Sequence, residues 1–149
     1  MPKAALLNKG LVAQASTTIA APRARVWQAL VTPDAIKQYM FGATVISDWR
    51  EGSPIAWKGE WQGKPFEDKG VILRLEPERL LQYSHFSPLS GLPEAPDSYH
   101  TVTVELSPAG SDTRVMLSQD NNATEEARQH SVKNWQTMLD GLKTLLERA

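Results

Sequence analysis

With 149 residues, 41% of them hydrophobic and 22% charged, the chain has the size and balance of one domain with a sizeable core, which excludes wholesale disorder. Sixteen basic against 17 acidic residues leave a formal net charge of -1, so no surplus of Lys and Arg exists to neutralise phosphates and nucleic-acid binding is not expected. The absence of cysteine removes disulfides, zinc–thiolate sites and thiol nucleophiles together, and the longest apolar run near the N-terminus, Ala4–Leu7, is too short for a signal core or a membrane span. A cytoplasmic domain over residues 1–149 without membrane insertion is the expectation, with residues 1–12 flexible or loosely attached.

The ten prolines all lie at or before position 108 and punctuate the first two thirds of the chain. Val12–Ile19 is polar and β-branched and reads as a first strand. Pro22 opens a short helix through Val31 with Val26, Trp27 and Leu30 on one face, and Thr32-Pro33 caps a second, Asp34–Met40. From Thr44 the period becomes two: Ile55, Trp57, Gly59 and Trp61 alternate with Ala56, Lys58 and Glu60 up to a turn at Gly63-Lys64-Pro65. Val71–Leu75, Leu80–Ser87, Tyr99–Leu106 and Thr113–Asn121 follow as strands, the last two joined by a turn at Ser107–Asp112. After Thr124, Trp135, Met138/Leu139, Leu142 and Leu145/Leu146 recur at three- and four-residue steps, the stripe of a long amphipathic helix. Gly141 lies inside it at a cost of about 1 kcal/mol against Ala, for which close approach of another backbone is the natural compensation. The fold class is α+β: a curved antiparallel sheet of about six or seven strands around a long C-terminal helix, with two short helices after the first strand.

Parity selects the inward residues. Leu81, Tyr83 and His85 face in while Gln82 and Ser84 face out, and His100, Val102, Val104 and Leu106 face in while Thr101, Thr103 and Glu105 face water. Placing Ser87 opposite Ser98 pairs His85 with His100, and placing Leu106 opposite Thr113 pairs His100 with Gln119, so His85, His100 and Gln119 form one polar row. Such a row at the end of an apolar surface orients a ligand; alternatively the histidines sit at the rim and hydrogen-bond water or the neighbouring loop. Trp57 and Trp61, with Trp135 on the helix opposite, offer ring surfaces for stacking or simply fill the core. The 12-residue connection Ser87–Ser98, with three prolines and a glycine, joins the strands that carry both histidines and reads as a lid over that end or as a stiff surface loop. No metal centre follows, because His85 and His100 lack a third ligand. No nucleophile elbow, phosphate loop or dinucleotide fingerprint is present, Glu67 and Asp68 face opposite ways on a strand, and no catalytic residue or cofactor is assigned.

Ala21-Pro22, Val26-Trp27-Gln28-Ala29-Leu30 and Pro33, followed by Phe41-Gly42, Trp57-x-Gly59, Lys69-Gly70 and Pro77-x-Arg79-Leu80, form an ordered pattern. Val102-x-Val104-x-Leu106, Gln119, Asn134-Trp135 and Leu139-x-Gly141-Leu142-Lys143 complete it. The pattern resembles the START-like (SRPBCC) superfamily over about residues 14–147, and most of all the branch homologous to the C-terminal domain of the heat-shock-protein-90 ATPase activator. The resemblance implies a helix-grip fold whose sheet and last helix enclose a hydrophobic cavity, with apolar small molecules as ligands and cyclisation or hydrolysis in some members. It transfers no catalytic residue. Met40 stands where the family usually has an aromatic before Phe41-Gly42, which bears on the shape of the cavity mouth.

Three functional readings follow. The first is binding of an apolar or aromatic small molecule by Trp57, Trp61, Tyr83, His85, His100, Gln119, Trp135 and Met138. The second is a protein-interaction module, a chaperone partner, working through its outer surface. The third is a cavity enzyme of cyclase or hydrolase type using His85 or His100. Whether the protein forms a homodimer stays open.

Overall fold

Alternating apolar residues build one seven-stranded antiparallel sheet in the order β1-β7-β6-β5-β4-β3-β2, described by a computed structural model over residues 10–148. The strands are β1 (Leu11–Ile19), β2 (Thr44–Ser47), β3 (Pro54–Trp61), β4 (Lys64–Glu76), β5 (Leu80–His85), β6 (His100–Ala109) and β7 (Asp112–Asn122). Two short helices, α1 (Arg23–Val31) and α2 (Pro33–Tyr39), follow β1, and α3 (Glu125–Glu147) ends the chain. This is the α+β helix-grip arrangement expected from the pattern. Of the segment 1–12, Leu11 and Val12 already belong to β1, and residues 1–9 lie outside the described residues.

The long helix starts where its cap predicts: the Thr124 hydroxyl accepts from the Ala127 N–H at 3.0 Å, satisfying one of the free donors of the first turn. Its apolar stripe buries Met138, Leu139, Leu142 and Leu146, each contributing about 1.5–3 kcal/mol relative to exposure. Gly141 is where α2 meets α3. A Cβ there would lie 3.3 Å from Tyr39 Cβ and 3.7 Å from its Cα, so the missing side chain lets the end of α2 press against the helix. Tyr39 is anchored in turn by its hydroxyl, which donates to the Ala29 carbonyl at 2.8 Å. Thr32 occupies the N-cap of α2 but its side chain makes no capping bond; Pro33 at the helix start has already removed one donor that would need it.

The hairpins correct the sequence reading in two places. The chain turns at Gln62 and Gly63, both at positive φ (51° and 81°), as a two-residue hairpin loop requires. Lys64 and Pro65 therefore belong to β4, which runs from residue 64 and not from Val71. The β6–β7 turn likewise contracts from Ser107–Asp112 to Gly110 and Ser111, with Ala109 opposite Asp112. That tighter turn moves the register by two residues: Leu106 pairs with Val115 rather than Thr113, and Gln119 lies opposite Val102 rather than His100. A two-residue shift keeps every residue on its face, so the inward set survives although the polar row does not. The β5–β6 register stands as expected, with His85 opposite His100, Tyr83 opposite Val102 and Leu81 opposite Val104. Gln82 and Thr103, expected in water, are buried on the far face, where the Gln82 amide donates to the Thr103 hydroxyl at 3.0 Å.

Between β4 and β5 the backbones come unusually close. Lys69 bridges to Phe86 and Ile72 pairs with Tyr83, and a Cβ on Gly70 would fall 1.7 Å from the Ser84 carbonyl oxygen. Leu73 is the extra residue of a bulge, since Ile72 pairs with Tyr83 but Arg74 with Gln82. Gly70→Ala should therefore cost about 3 kcal/mol or more by forcing the strands apart. Gly141→Ala, where a gain in helix propensity offsets a tight contact, should stay within about 1 kcal/mol of the parent. Urea denaturation of both variants checks this; equal losses would contradict the packing described.

Candidate functional site

Trp57 on β3, Phe66 and Asp68 on β4, and Tyr83 and His85 on β5 share the helix-facing side of the sheet, because Trp57 pairs with Asp68 and Gly59 with Phe66. With Met40, Phe41 and Ala43 after α2, Glu60 on β3 and Trp135 on α3, they line a cleft of about 150 Å³. Gly59 makes room for one wall: a Cβ at that position would meet the Phe66 ring at 2.9 Å. Phe41 stands at the edge, 66% exposed and at φ 56°, with Gly42 following at φ 79°. Behind the cleft a void of about 30 Å³ reaches Leu30, Tyr39 and Met138. The aromatic side chains thus fill most of the space between sheet and helix.

Trp57, 5% exposed, forms the floor, its ring centroid 5.1 Å from that of Tyr83 and 5.0 Å from that of His85, edge-on to the imidazole. His85 Nε2 lies 2.9 Å from Asp68 Oδ2, with both side chains mostly covered. An ionised carboxylate only accepts, so Nε2 carries the proton and donates. The second carboxylate oxygen, Asp68 Oδ1, is buried and has no hydrogen-bond partner. The Tyr83 side chain is also buried, and burial raises its phenol well above the ordinary 10.0; burial first, and then the field of Tyr83, does the same to Tyr39.

The other expected residues divide. Trp135 lines the cleft, but its indole N–H donates to Gln119 Oε1 at 2.5 Å, so Gln119 is committed to holding α3. His100 faces His85 with ring centroids 6.4 Å apart, yet its Nδ1 donates to the Asp120 carbonyl at 2.8 Å and it does not line the cleft. Met138 is buried in the void behind. Trp61 ends β3, and its side chain lies outside the described residues. Among the described residues of Ser87–Ser98 none lines the cleft: Glu94 holds Lys69 at 2.6 Å, and the Asn121 amide donates to the carbonyls of Asp97 and Tyr99. The loop is pinned to the strand ends, and its described residues do not cover this site.

Sequence reasoning missed Asp68, Glu60, Phe66 and Ala43. The signal was available: a two-residue turn at Gln62-Gly63 puts 66 and 68 on the same face as 59 and 57. Among the described residues no group of three or more His, Asp or Glu side chains could hold a metal ion, and no helix is long and apolar enough to cross a membrane.

Burial of two of the three tyrosines gives a pH dependence. A phenol whose folded-state value is raised contributes stability that is complete below about pH 10 and is lost as pH rises toward the folded value. Ultraviolet titration should show only Tyr99 ionising while the protein stays folded, with Tyr39 and Tyr83 ionising on alkaline unfolding. Three tyrosines titrating together in the folded protein would contradict this burial.

Comparison with known proteins places this geometry in a family. The family model for Activator of Hsp90 ATPase homolog 1-like protein matches residues 20–147. The solution structure of ChR145 from Cytophaga hutchinsonii is 55% identical, covering 96% of this chain and 97% of that one with a TM-score of 0.82. Two further structures share the fold at lower identity. The Aha1 dimer from Colwellia psychrerythraea is 20% identical over 92% of this chain and 96% of its own, with a TM-score of 0.71. CalU16 from Micromonospora echinospora is 23% identical over 95% of this chain and 87% of its own, with a TM-score of 0.70. No curated protein matches the chain. With the match spanning nearly all of the helix-grip domain, the chain belongs to the family of Activator of Hsp90 ATPase homolog 1-like proteins.

Proposed function

We propose that the protein binds a small apolar or aromatic molecule in the cleft between β3, β4, β5 and α3. The observation that carries this reading is the cleft itself: about 150 Å³ lined mainly by Trp57, Trp135, Tyr83, Phe66, Met40 and Phe41. Apolar cavities of about this size accept a benzene-sized guest, so one ring enters and any larger part of the ligand stays outside. Trp57, Tyr83, His85 and Trp135 contact the ligand, whereas His100, Gln119 and Met138 support the walls. A cytoplasmic site fits this role. The family match favours a second reading, a protein-interaction module serving a chaperone partner through the outer surface, alone or as a homodimer.

Native mass spectrometry of the purified protein, before and after denaturation, tests for a co-purified ring compound. Titration with toluene gives the controlled version: indole resonances of Trp57 and Trp135 should shift together. Ala43→Leu, which places a larger side chain at a buried position of the cleft lining, should weaken that binding about tenfold or more while the fold is retained. Indole signals unmoved up to the solubility limit of toluene would overturn the small-molecule reading and leave the interaction module.

A further inference from the structure

The helix α2 ends in a turn that suits a residue other than the one it has. The Met40 N–H donates to the Ile36 carbonyl at 2.8 Å and the Gly42 N–H reaches back to the Lys37 carbonyl at 3.1 Å, which sets Phe41 at φ 56°. Glycine or asparagine normally holds this place at a helix end, because a larger side chain in the left-handed region crowds the backbone. The other described non-glycine residues at positive φ are accounted for locally: Gln62 and Glu78 sit in turns, Asn121 is of a type that tolerates the conformation, and Trp49 packs against the core. Phe41 gains no such burial, being the most exposed large hydrophobic among the described residues, and it stands in the lining of the cleft beside Met40 and Ala43.

We infer that Phe41 is the residue that closes the cleft over its ligand, and that this ligand is a planar bicyclic aromatic, one ring entering beside Trp57 and Trp135 and the other covered at the mouth by the Phe41 ring. The inference rests on the small-molecule reading and deepens it. A cleft of about 150 Å³ takes a single ring, so the second ring of a fused pair lies at the mouth, where Phe41 supplies the exposed apolar surface. Contact there removes apolar surface of both partners from water, a return that the left-handed, exposed Phe41 does not obtain from the fold itself. Gly42 follows at φ 79° with no atom within 4 Å of where a Cβ would stand, so the turn has room to adjust without displacing α2 or β2.

Chemical-shift titration of the full chain with toluene and with naphthalene, read on the indole signals of Trp57 and Trp135, tests this. The parent protein should bind naphthalene about tenfold or more tighter than toluene, the scale of covering much of a phenylalanine ring. Phe41→Asn, which keeps a residue suited to the left-handed turn, should bring naphthalene to within about twofold of toluene and leave toluene within about twofold of its parent value, with a Tm no lower than the parent's. Phe41→Tyr, which keeps the ring, should hold naphthalene within about threefold of the parent. If Phe41→Asn weakens both ligands equally or lowers Tm by several degrees, the ring shapes the fold and not the ligand site, and the inference falls. If the parent binds toluene but holds naphthalene no tighter, or if Phe41→Asn leaves naphthalene unchanged, the inference falls and the small-molecule reading stands. If neither compound binds the parent, both fall.

Discussion

The site depends on one close approach. At Gly70 the backbones of β4 and β5 are so near that the Ser84 carbonyl occupies the place of a side chain. Two residues before that point Asp68 faces the helix, and one residue after Ser84 so does His85, which puts the two polar groups on neighbouring strands within hydrogen-bond reach. With any side chain at position 70 the strands would separate, and the carboxylate and imidazole would each be left in an aromatic environment without the other. The adjoining bulge at Leu73 absorbs the mismatch before the strands resume ordinary pairing at Arg74 and Gln82.

A second contact sets how much space remains. Tyr39 fills the position opposite Gly141 and fixes the distance between α2 and α3. Trp135, six residues before Gly141 on the same helix, is then held over the sheet by its bond to Gln119. Trp57, Tyr83 and Met138 take up most of the space between sheet and helix, which leaves a cleft of about 150 Å³ and a void of about 30 Å³ behind it. The residues that tie the walls together are the polar ones expected to meet a ligand, Gln119 and His100, and each has its partner within the protein.

Much of this fold was legible in the sequence because period and punctuation agree. Thr124, the stripe through Leu146 and the proline-free tail define α3, and the alternation around Tyr83 and Val102 sets the β5–β6 register. What was not legible has a common physical origin in hairpin loops shorter than their composition suggests. Ser107–Asp112 looks like a six-residue turn, yet only Gly110 and Ser111 are needed, and the register of Gln119 follows from that difference. The start of β4 was hidden in the same way: Lys64 and Pro65 read as part of the turn and the strand as starting at Val71, so the pairing of Asp68 with Trp57 was not seen. Gln82 and Thr103 lie on the face parity gives them, away from α3, but they are buried there and hydrogen-bond each other rather than water.

The hairpin turn at Gln62 and Gly63 has a consequence for the order in which the cleft is assembled. Trp57, Gly59, Phe66 and Asp68 are brought together by pairing of adjacent strands, a local event requiring closure of only a short loop. His85 and Trp135 join from far along the chain, after β5 and α3 have docked. Half of the cleft lining is thus a property of one hairpin, and the other half a property of the whole domain. A ligand that touches both halves binds only the fully docked chain, so its binding energy is shared by the entire fold and raises global stability by mass action. Occupancy of the cleft and integrity of the domain are in this sense one equilibrium.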